Sequence, residues 1–162
     1  MSARISFRSS QGASTLDSIV QKSVPQWPNG LRSFQRQSIL KILNQQQLLC
    51  ITATGDGKSA LFAIPILVHR EIGRNPKEYP QFNVEIRRKP AGLVVIPTKG
   101  LANNIVTEMG YLDLSAFAYT HDNITRAQKS GINITEKITD CDYNIVCVDP
   151  APENMYIDSD ES

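Results

Sequence analysis

The 162-residue chain has a small net charge, few cysteines and no long apolar run. Its formal net charge of +1 gives no chain-wide basic surface, so any nucleic-acid binding would need a local site. Its three cysteines lack metal-ligand spacing, and an odd number without a secretory leader is typical of a reducing compartment. No apolar stretch reaches the length of a membrane span, so no membrane segment is predicted.

One stretch, residues 52–59, organises the rest of the chain. It reads Thr-Ala-Thr-Gly-Asp-Gly-Lys-Ser and lies between two apolar runs, the first at residues 48–51. This order predicts a strand, a glycine loop and a helix from Lys58 to about Ile72. Such a loop turns backbone N–H groups inward beside the positive end of a helix, which is typical of a phosphate site. Thr52 stands where the pattern G-x-x-x-x-G-K-[ST] has its first glycine, and the alternative is a glycine turn beside a surface Lys-Ser pair.

A phosphate loop of this kind assigns roles to its last residues. Lys58 would reach the outer phosphates, and the hydroxyl of Ser59 would bind Mg²⁺. We therefore predict ATP and Mg²⁺ as cofactors, with Ser59 as the metal ligand. The loop residues predicted to bind the nucleotide are Thr54, Gly55, Asp56, Gly57, Lys58 and Ser59.

Composition divides the chain into three parts. Residues 1–13 are polar and are predicted to be a disordered leader, with a mitochondrial presequence as the alternative. Residues 14–150 are predicted to form one partial domain. Residues 151–162 are acidic and lack an apolar period, so they are predicted to be a disordered tail.

Apolar periodicity predicts the elements around the loop. Short helices are predicted at about residues 14–24 and 33–43, and a surface loop at residues 74–90. Three further strands are predicted at residues 92–96, 115–119 and 143–148. Helices are predicted at 101–109 and at about 125–138, the second broken near Gly131. This alternation predicts an α/β fold with a parallel sheet flanked by helices, whose ligands bind at the carboxyl ends of the strands.

With these motifs in place, the chain resembles the first RecA-like domain of superfamily 2 helicases of the DEAD/DEAH type, most closely the RecQ branch. Residues 54–65 are similar to that branch's phosphate loop and helix down to the proline, with Asp56 in place of the usual glycine. Residues 31–35 resemble its adenine-recognition motif. The resemblance covers residues 25–150 and implies an incomplete RecA-like P-loop NTPase fold.

The resemblance also assigns adenine-binding roles upstream of the loop. It implies that Gln35 reads the adenine edge, that Arg32 supports it and that Trp27 stacks on the ring. Composition alone would make Gln35 an exposed polar helix residue.

Two further segments resemble nucleic-acid motifs of the family. Residues 93–101 look like the motif that grips the sugar–phosphate backbone, with the contacts made by Pro97, Thr98, Lys99 and Gly100. Residues 145–150 look like a later Pro-Glu motif, although Ala151 stands where the family has Glu. The implied partners are ATP and weakly bound single- or double-stranded DNA, in the nucleus or alternatively in mitochondria, and no stable oligomer is predicted.

The sequence contains no D-E-x-H or D-E-x-D box and no second RecA-like domain. The resemblance therefore implies a truncated ATP- and nucleic-acid-binding module of a RecQ-like DNA helicase, whose full-length family unwinds in the 3′–5′ direction. We expect it to bind ATP, barely hydrolyse it and unwind nothing, so no catalytic residue is assigned. One alternative is an interaction or regulatory fragment that binds neither ATP nor DNA well. Another is a small nucleotide kinase, against which the Gln35 motif argues.

Overall fold

A computed structural model describes residues 4–53, 55–97 and 99–148 of the chain, apart from the side chain of Lys99. The chain divides into two compact units, Met1–Gly92 and Leu93–Ser162. The phosphate loop lies in the first unit, and the resemblance to the backbone-gripping motif lies in the second. The predicted partial domain over residues 14–150 spans both units.

The first unit is built on three helices: α1 (Ser10–Ser23), α2 (Ser33–Leu43) and α3 (Ala60–Arg74). Helix α3 packs against both α1 and α2. Each helix turns an apolar stripe inward, as the helical spacing of these residues requires. The side chains that form this core are fully buried and include Leu16, Ile19, Ile39, Leu43, Ile64 and Leu67.

The N-terminal segment is part of this unit. Ser9 caps α1, its Oγ accepting a hydrogen bond from the Gly12 N–H at 3.1 Å. Phe7 is fully buried and stacks on Phe82 with 3.8 Å between the ring centroids, while Ile5 forms an isolated parallel bridge with Phe82. The prediction of a disordered leader is therefore wrong for residues 4–13. Ile5 and Phe7 order this segment despite its polar composition, because both contact Phe82, which is distant in the sequence.

The segment before the phosphate loop differs from the prediction. Residues 48–51 form no strand, and Leu49 and Ile51 expose 87% and 88% of their surface, while Leu48 and Cys50 are half-buried. This alternation is that of an extended chain. A strand also needs a hydrogen-bonded neighbour, and in the described part of the first unit no strand pairs with this segment. Helix α3 begins at Ala60 instead of Lys58 and continues past Gly73 to Arg74.

The predicted surface loop at residues 74–90 is attached to α3 through two side chains. Glu71 accepts hydrogen bonds from Lys22 Nζ at 2.6 Å and from the Tyr79 hydroxyl at 2.7 Å. Burial alone would raise the pKa of Glu71, but the hydrogen bonds from its neighbours hold that pKa below its ordinary value. The backbone N–H of Arg87 donates to His69 Nδ1 at 3.1 Å.

The second unit contains the sheet, whose first residue, Gly92, is the last residue of the first unit. Its elements are β1 (Gly92–Val95), α4 (Lys99–Tyr111), β2 (Ala116–Tyr119), α5 (His121–Lys129), α6 (Ile134–Thr139) and β3 (Ile145–Val148). The strand order is β1-β3-β2, and β2 runs parallel to β3 with Ala116 opposite Ile145. Helix α4 packs on β2 and β3, where Ala118 and Cys147 are buried.

These elements confirm the predicted α/β fold with a small sheet flanked by helices. The strands predicted at residues 92–96, 115–119 and 143–148 are present within a residue or two at each end. The break predicted near Gly131 is confirmed, because the helical segment predicted at about residues 125–138 is two helices, α5 and α6. Gly131 lies between them with φ of 71°, a left-handed conformation that ends the first helix.

Candidate nucleotide-binding site

Two glycines turn the chain sharply at the predicted phosphate loop. Gly55 and Gly57 have φ angles of 87° and 73°, the left-handed region in which glycine has no steric penalty. Ser59 then occupies the N-cap position of α3. The loop thus delivers the chain to the positive end of a helix, as its sequence predicts. Thr54 lies outside the described residues.

Gln35 links α2 to this loop. It is the third residue of α2, and its Oε1 accepts a hydrogen bond from the Arg32 N–H at 2.9 Å, which is one half of a capping box. Its Nε2 donates to the carbonyl oxygen of Gly57 at 3.0 Å and approaches that of Asp56 at 3.4 Å. Gln35 is only 6% exposed, so the composition-based reading of an exposed polar residue is wrong. Its partners lie in the loop, too far along the chain for local periodicity to reveal.

This link determines which way the loop peptides face. In a planar trans peptide the N–H points opposite to the C=O, and the described residues contain no cis peptide. Because the carbonyls of Asp56 and Gly57 point towards Gln35, the N–H groups of Gly57 and Lys58 point away from it. Two successive N–H groups facing the same way at the start of a helix are what binds an anion such as phosphate.

Lys58 lies over the incoming arm of the loop. Its Nζ donates to the carbonyl oxygen of Ala53 at 2.6 Å and to the carbonyl and hydroxyl oxygens of Thr52 at 3.2 and 3.3 Å. These acceptors are uncharged, and the side chain is exposed. Phosphate oxygens would be stronger acceptors for the ammonium group.

The residues at the loop fit a magnesium ion that is held mainly by phosphate. Within the described ranges, no group of three or more His, Cys, Asp or Glu side chains could hold a metal ion. Mg²⁺ commonly uses few protein ligands, keeps several waters and takes its other ligands from the substrate phosphates. Ser59, at the N-cap of α3, is the residue that would contribute the protein ligand, as its sequence position predicts.

The structure brings Arg32, Gln35 and Asp56 together around the loop. Arg32 Nη1 lies 3.8 Å from Asp56 Oδ1, an ion pair that the sequence interpretation missed. The sequence contains both charges, since Arg32 belongs to the adenine-recognition motif and Asp56 belongs to the phosphate loop. Trp27 lies half-buried in the turn between α1 and α2, where its backbone N–H donates to the Val24 carbonyl oxygen at 3.0 Å. Its stacking on adenine stays a prediction.

The predicted nucleic-acid residues lie in the second unit. Pro97 is exposed after β1, and Lys99 and Gly100 begin α4. A β-carbon at Gly100 would meet no atom within 4 Å, so this helix start is open. Thr98 and residues 149–150 lie outside the described residues, and the contacts of this motif with nucleic acid stay predictions.

A sequence profile of the DEAD/DEAH box helicase family matches residues 32–151, which is most of the chain and includes both Gln35 and the loop. The chain belongs to the DEAD/DEAH box helicase family. This confirms the broader part of the resemblance and explains why the glutamine and the glycine loop occur together. Members of the family use ATP with Mg²⁺.

Three relatives of this DEAD/DEAH box chain are RNA helicases by name. It is 37% identical over 75 residues to the pre-mRNA-splicing ATP-dependent RNA helicase PRP28 of Scheffersomyces stipitis. The matched segment covers 46% of this chain and 16% of that protein. It is 33% identical over 89 residues to the probable ATP-dependent RNA helicase DDX4 of Pelophylax lessonae, covering 55% and 11%. It is 30% identical over 101 residues to DEAD-box ATP-dependent RNA helicase 24 of Oryza sativa subsp. japonica, covering 62% and 11%.

These relatives do not support the finer part of the resemblance, the RecQ branch with its DNA substrate, because each is described as an RNA helicase. The matched segments also span only 11–16% of the relatives' own length. Among the helices that the structure describes, none has the length and apolar character needed to cross a membrane.

Proposed function

We propose that this chain is the ATP- and RNA-binding part of a DEAD-box-type helicase. The observation that carries the proposal is the hydrogen bond from Gln35 Nε2 to the Gly57 carbonyl. It joins the adenine-reading motif to the phosphate loop and directs the loop N–H groups towards the place where phosphate would bind. The family membership supports the same assignment.

Backbone N–H groups and side chains of the loop would each bind part of a triphosphate. The N–H groups of Gly57 and Lys58 and the N-terminal end of α3 would bind phosphate oxygens, and the Lys58 ammonium would neutralise the outer charges. A bound Mg²⁺ ion supplies further charge neutralisation between the phosphates. Ser59 holds a hydroxyl at the helix start where such an ion would be placed.

Gln35 keeps enough hydrogen-bonding capacity to read adenine. A side-chain amide has two N–H donors and two oxygen lone pairs. Oε1 uses one lone pair for the Arg32 N–H, and Nε2 uses one hydrogen for the Gly57 carbonyl. The second lone pair remains, and the second hydrogen has only the 3.4 Å approach to the Asp56 carbonyl. One donor beside one acceptor matches the adenine edge, as the resemblance predicts.

RNA is the nucleic acid that we propose, in place of the DNA predicted from the sequence, because the relatives are named as RNA helicases. The contacts would come from Pro97, Thr98, Lys99 and Gly100 and would address the sugar–phosphate backbone. Binding should therefore be weak, salt-sensitive and independent of base sequence. A preference for RNA would require recognition of the 2′-hydroxyl group.

Two binding experiments test this function on residues 1–162. The first compares ATP with GTP for the wild type and Gln35→Ala, with exposed Gln37→Ala as the matched control. We expect Gln35→Ala to weaken ATP binding about tenfold and to narrow the preference over GTP. An unchanged ATP/GTP ratio would contradict the adenine role.

The second experiment measures anisotropy of labelled single-stranded RNA and of DNA with the same sequence. We expect tighter RNA binding, weakened several-fold by Gly100→Asp because the new carboxylate repels phosphate. Gly110→Asp, near the other end of α4, is the control, since a β-carbon there also meets no atom within 4 Å. Tighter DNA binding would favour the RecQ-like assignment. Binding of neither ATP nor nucleic acid would favour the interaction fragment.

A further inference from the structure

The phosphate loop carries a negative charge where an anion site needs positive charge. Asp56 lies between Gly55 and Gly57, two residues before Lys58. Two residues span at most about 7 Å, which is shorter than the Debye length of about 8 Å at physiological salt. An anion held by the loop N–H groups next to Asp56 therefore lies within about one Debye length of its carboxylate, so solvent ions screen the repulsion only in part.

Arg32 offsets this charge only in part. Its guanidinium lies 3.8 Å from the carboxylate, beyond hydrogen-bond distance, and the two side chains are 62% and 36% exposed. Exposed pairs of this geometry are weak because water competes for both partners. The carboxylate thus keeps much of its effect on a neighbouring anion, and the strength of that effect depends on Arg32.

We propose that Asp56 makes this loop discriminate against metal-free polyphosphate in favour of the Mg²⁺-complexed nucleotide, and that Arg32 sets the degree of discrimination through its pairing with Asp56. The proposal rests on the ATP-binding function above. Mg²⁺ cancels two of the negative charges on a nucleoside triphosphate, so the complexed form meets less repulsion from the carboxylate. A neutral residue at this position would leave the loop more tolerant of free ATP.

Calorimetric binding of ATP in the presence of Mg²⁺ or of a chelator tests the role of Asp56. Asp56→Asn should raise the affinity for metal-free ATP about tenfold and that for the magnesium complex by clearly less. Adenosine, which has no phosphate, should bind the variant and the wild type equally. Glu85→Gln, which removes an exposed carboxylate elsewhere in the same unit, should match the wild type. Asp56→Ser is a second neutral variant, and thermal melts verify folding.

A double-mutant cycle tests the role of Arg32. Arg32→Gln should lower the affinity for metal-free ATP several-fold when Asp56 is present and clearly less in the Asp56→Asn background, where only the loss of the guanidinium charge itself remains. This follows because Arg32 acts through the carboxylate, and coupled residues give non-additive effects. An equal loss in both backgrounds would overturn this role and show that Arg32 contacts the nucleotide itself.

Failure of this inference is distinguishable from failure of the proposed function. If the wild type binds the magnesium complex and both neutral variants change the two affinities by less than about twofold, the inference is overturned and the function stands. If neutral variants bind ATP and the wild type does not, the inference is supported and the function of the native chain is contradicted. If no protein binds ATP, both are contradicted.

Discussion

The side-chain nitrogen of Gln35 lies 3.0 Å from the carbonyl oxygen of Gly57, and a β-carbon at Gly57 would come within 2.8 Å of that same nitrogen. Gly57 also has φ of 73°, which side chains other than glycine rarely adopt. The turn therefore favours glycine here, and any larger residue would have to displace the end of the Gln35 side chain. The adenine-recognition motif and the phosphate loop are therefore in direct contact.

Gly57→Ala should lower the free energy of unfolding by about 1–2 kcal/mol through its left-handed backbone and should also weaken ATP binding by displacing Gln35. Gly30→Ala is the matched control, because Gly30 has φ of 63° but a β-carbon there would meet no atom within 4 Å. It should show the stability loss alone. Urea unfolding and ATP titration of both variants measure the two effects, and undiminished ATP affinity in Gly57→Ala would refute the link.

The contact between His69 and the segment after α3 should depend on pH. His69 Nδ1 accepts the Arg87 N–H, which only the neutral imidazole allows at that atom. Burial lowers the pKa of His69 below its ordinary 6.5, and the positive charge of Arg87 lowers it further. The stabilisation is thus complete above about pH 6.5 and is lost as the pH falls through the lower folded-state pKa, since the unfolded chain takes up the proton more readily.

Urea unfolding between about pH 7.5 and 5.5 checks this expectation, and the free energy of unfolding should decrease towards the acid end. His69→Asn offers an amide oxygen as acceptor without titrating, so it should flatten the curve. His121→Asn changes the other histidine of the chain, exposed at the start of α5, and should leave the decrease in place. A decrease of equal size in His69→Asn would assign the effect to another group.

The N-terminal segment should be sensitive at Gly12. A β-carbon there would overlap the carbonyl oxygen of Ser6 and lie 2.6 Å from Cα of Phe7, and both atoms belong to the backbone. Gly12→Ala should therefore destabilise the protein by about 1–3 kcal/mol, although alanine favours a helix. Gly110→Ala in α4 meets no atom within 4 Å and should be neutral or stabilising. Equal thermal shifts in the two variants would show that the segment before α1 is not packed.

The sequence predicts the loop and the sheet of the second unit because their signals are local. Gly55 and Gly57 mark a turn by themselves, and the strand containing Ile145 and Cys147 is a continuous apolar run of the kind a covered sheet contains. Helix α4 follows the same logic, since its start and its apolar face lie within one short segment.

What the sequence does not predict depends on distant partners. Phe7 becomes core only because Phe82 stacks on it, and Gln35 becomes buried only because the loop folds against α2. The strand expected at residues 48–51 is the converse case. Its residues alternate as in a strand, but pairing needs a second strand, and none lies beside it in the described part of the first unit.

The central claim is that Lys58 and the loop behind it bind the phosphates of ATP, and calorimetric titration of residues 1–162 with ATP and Mg²⁺ tests it most directly. Lys58→Ala should lose at least about tenfold in affinity, because a charge-assisted contact to phosphate contributes about 1.5–3 kcal/mol. Lys77→Ala, an exposed lysine beyond α3, should bind as the wild type does. Equal ATP affinity in all three proteins, or none in the wild type, would contradict the account.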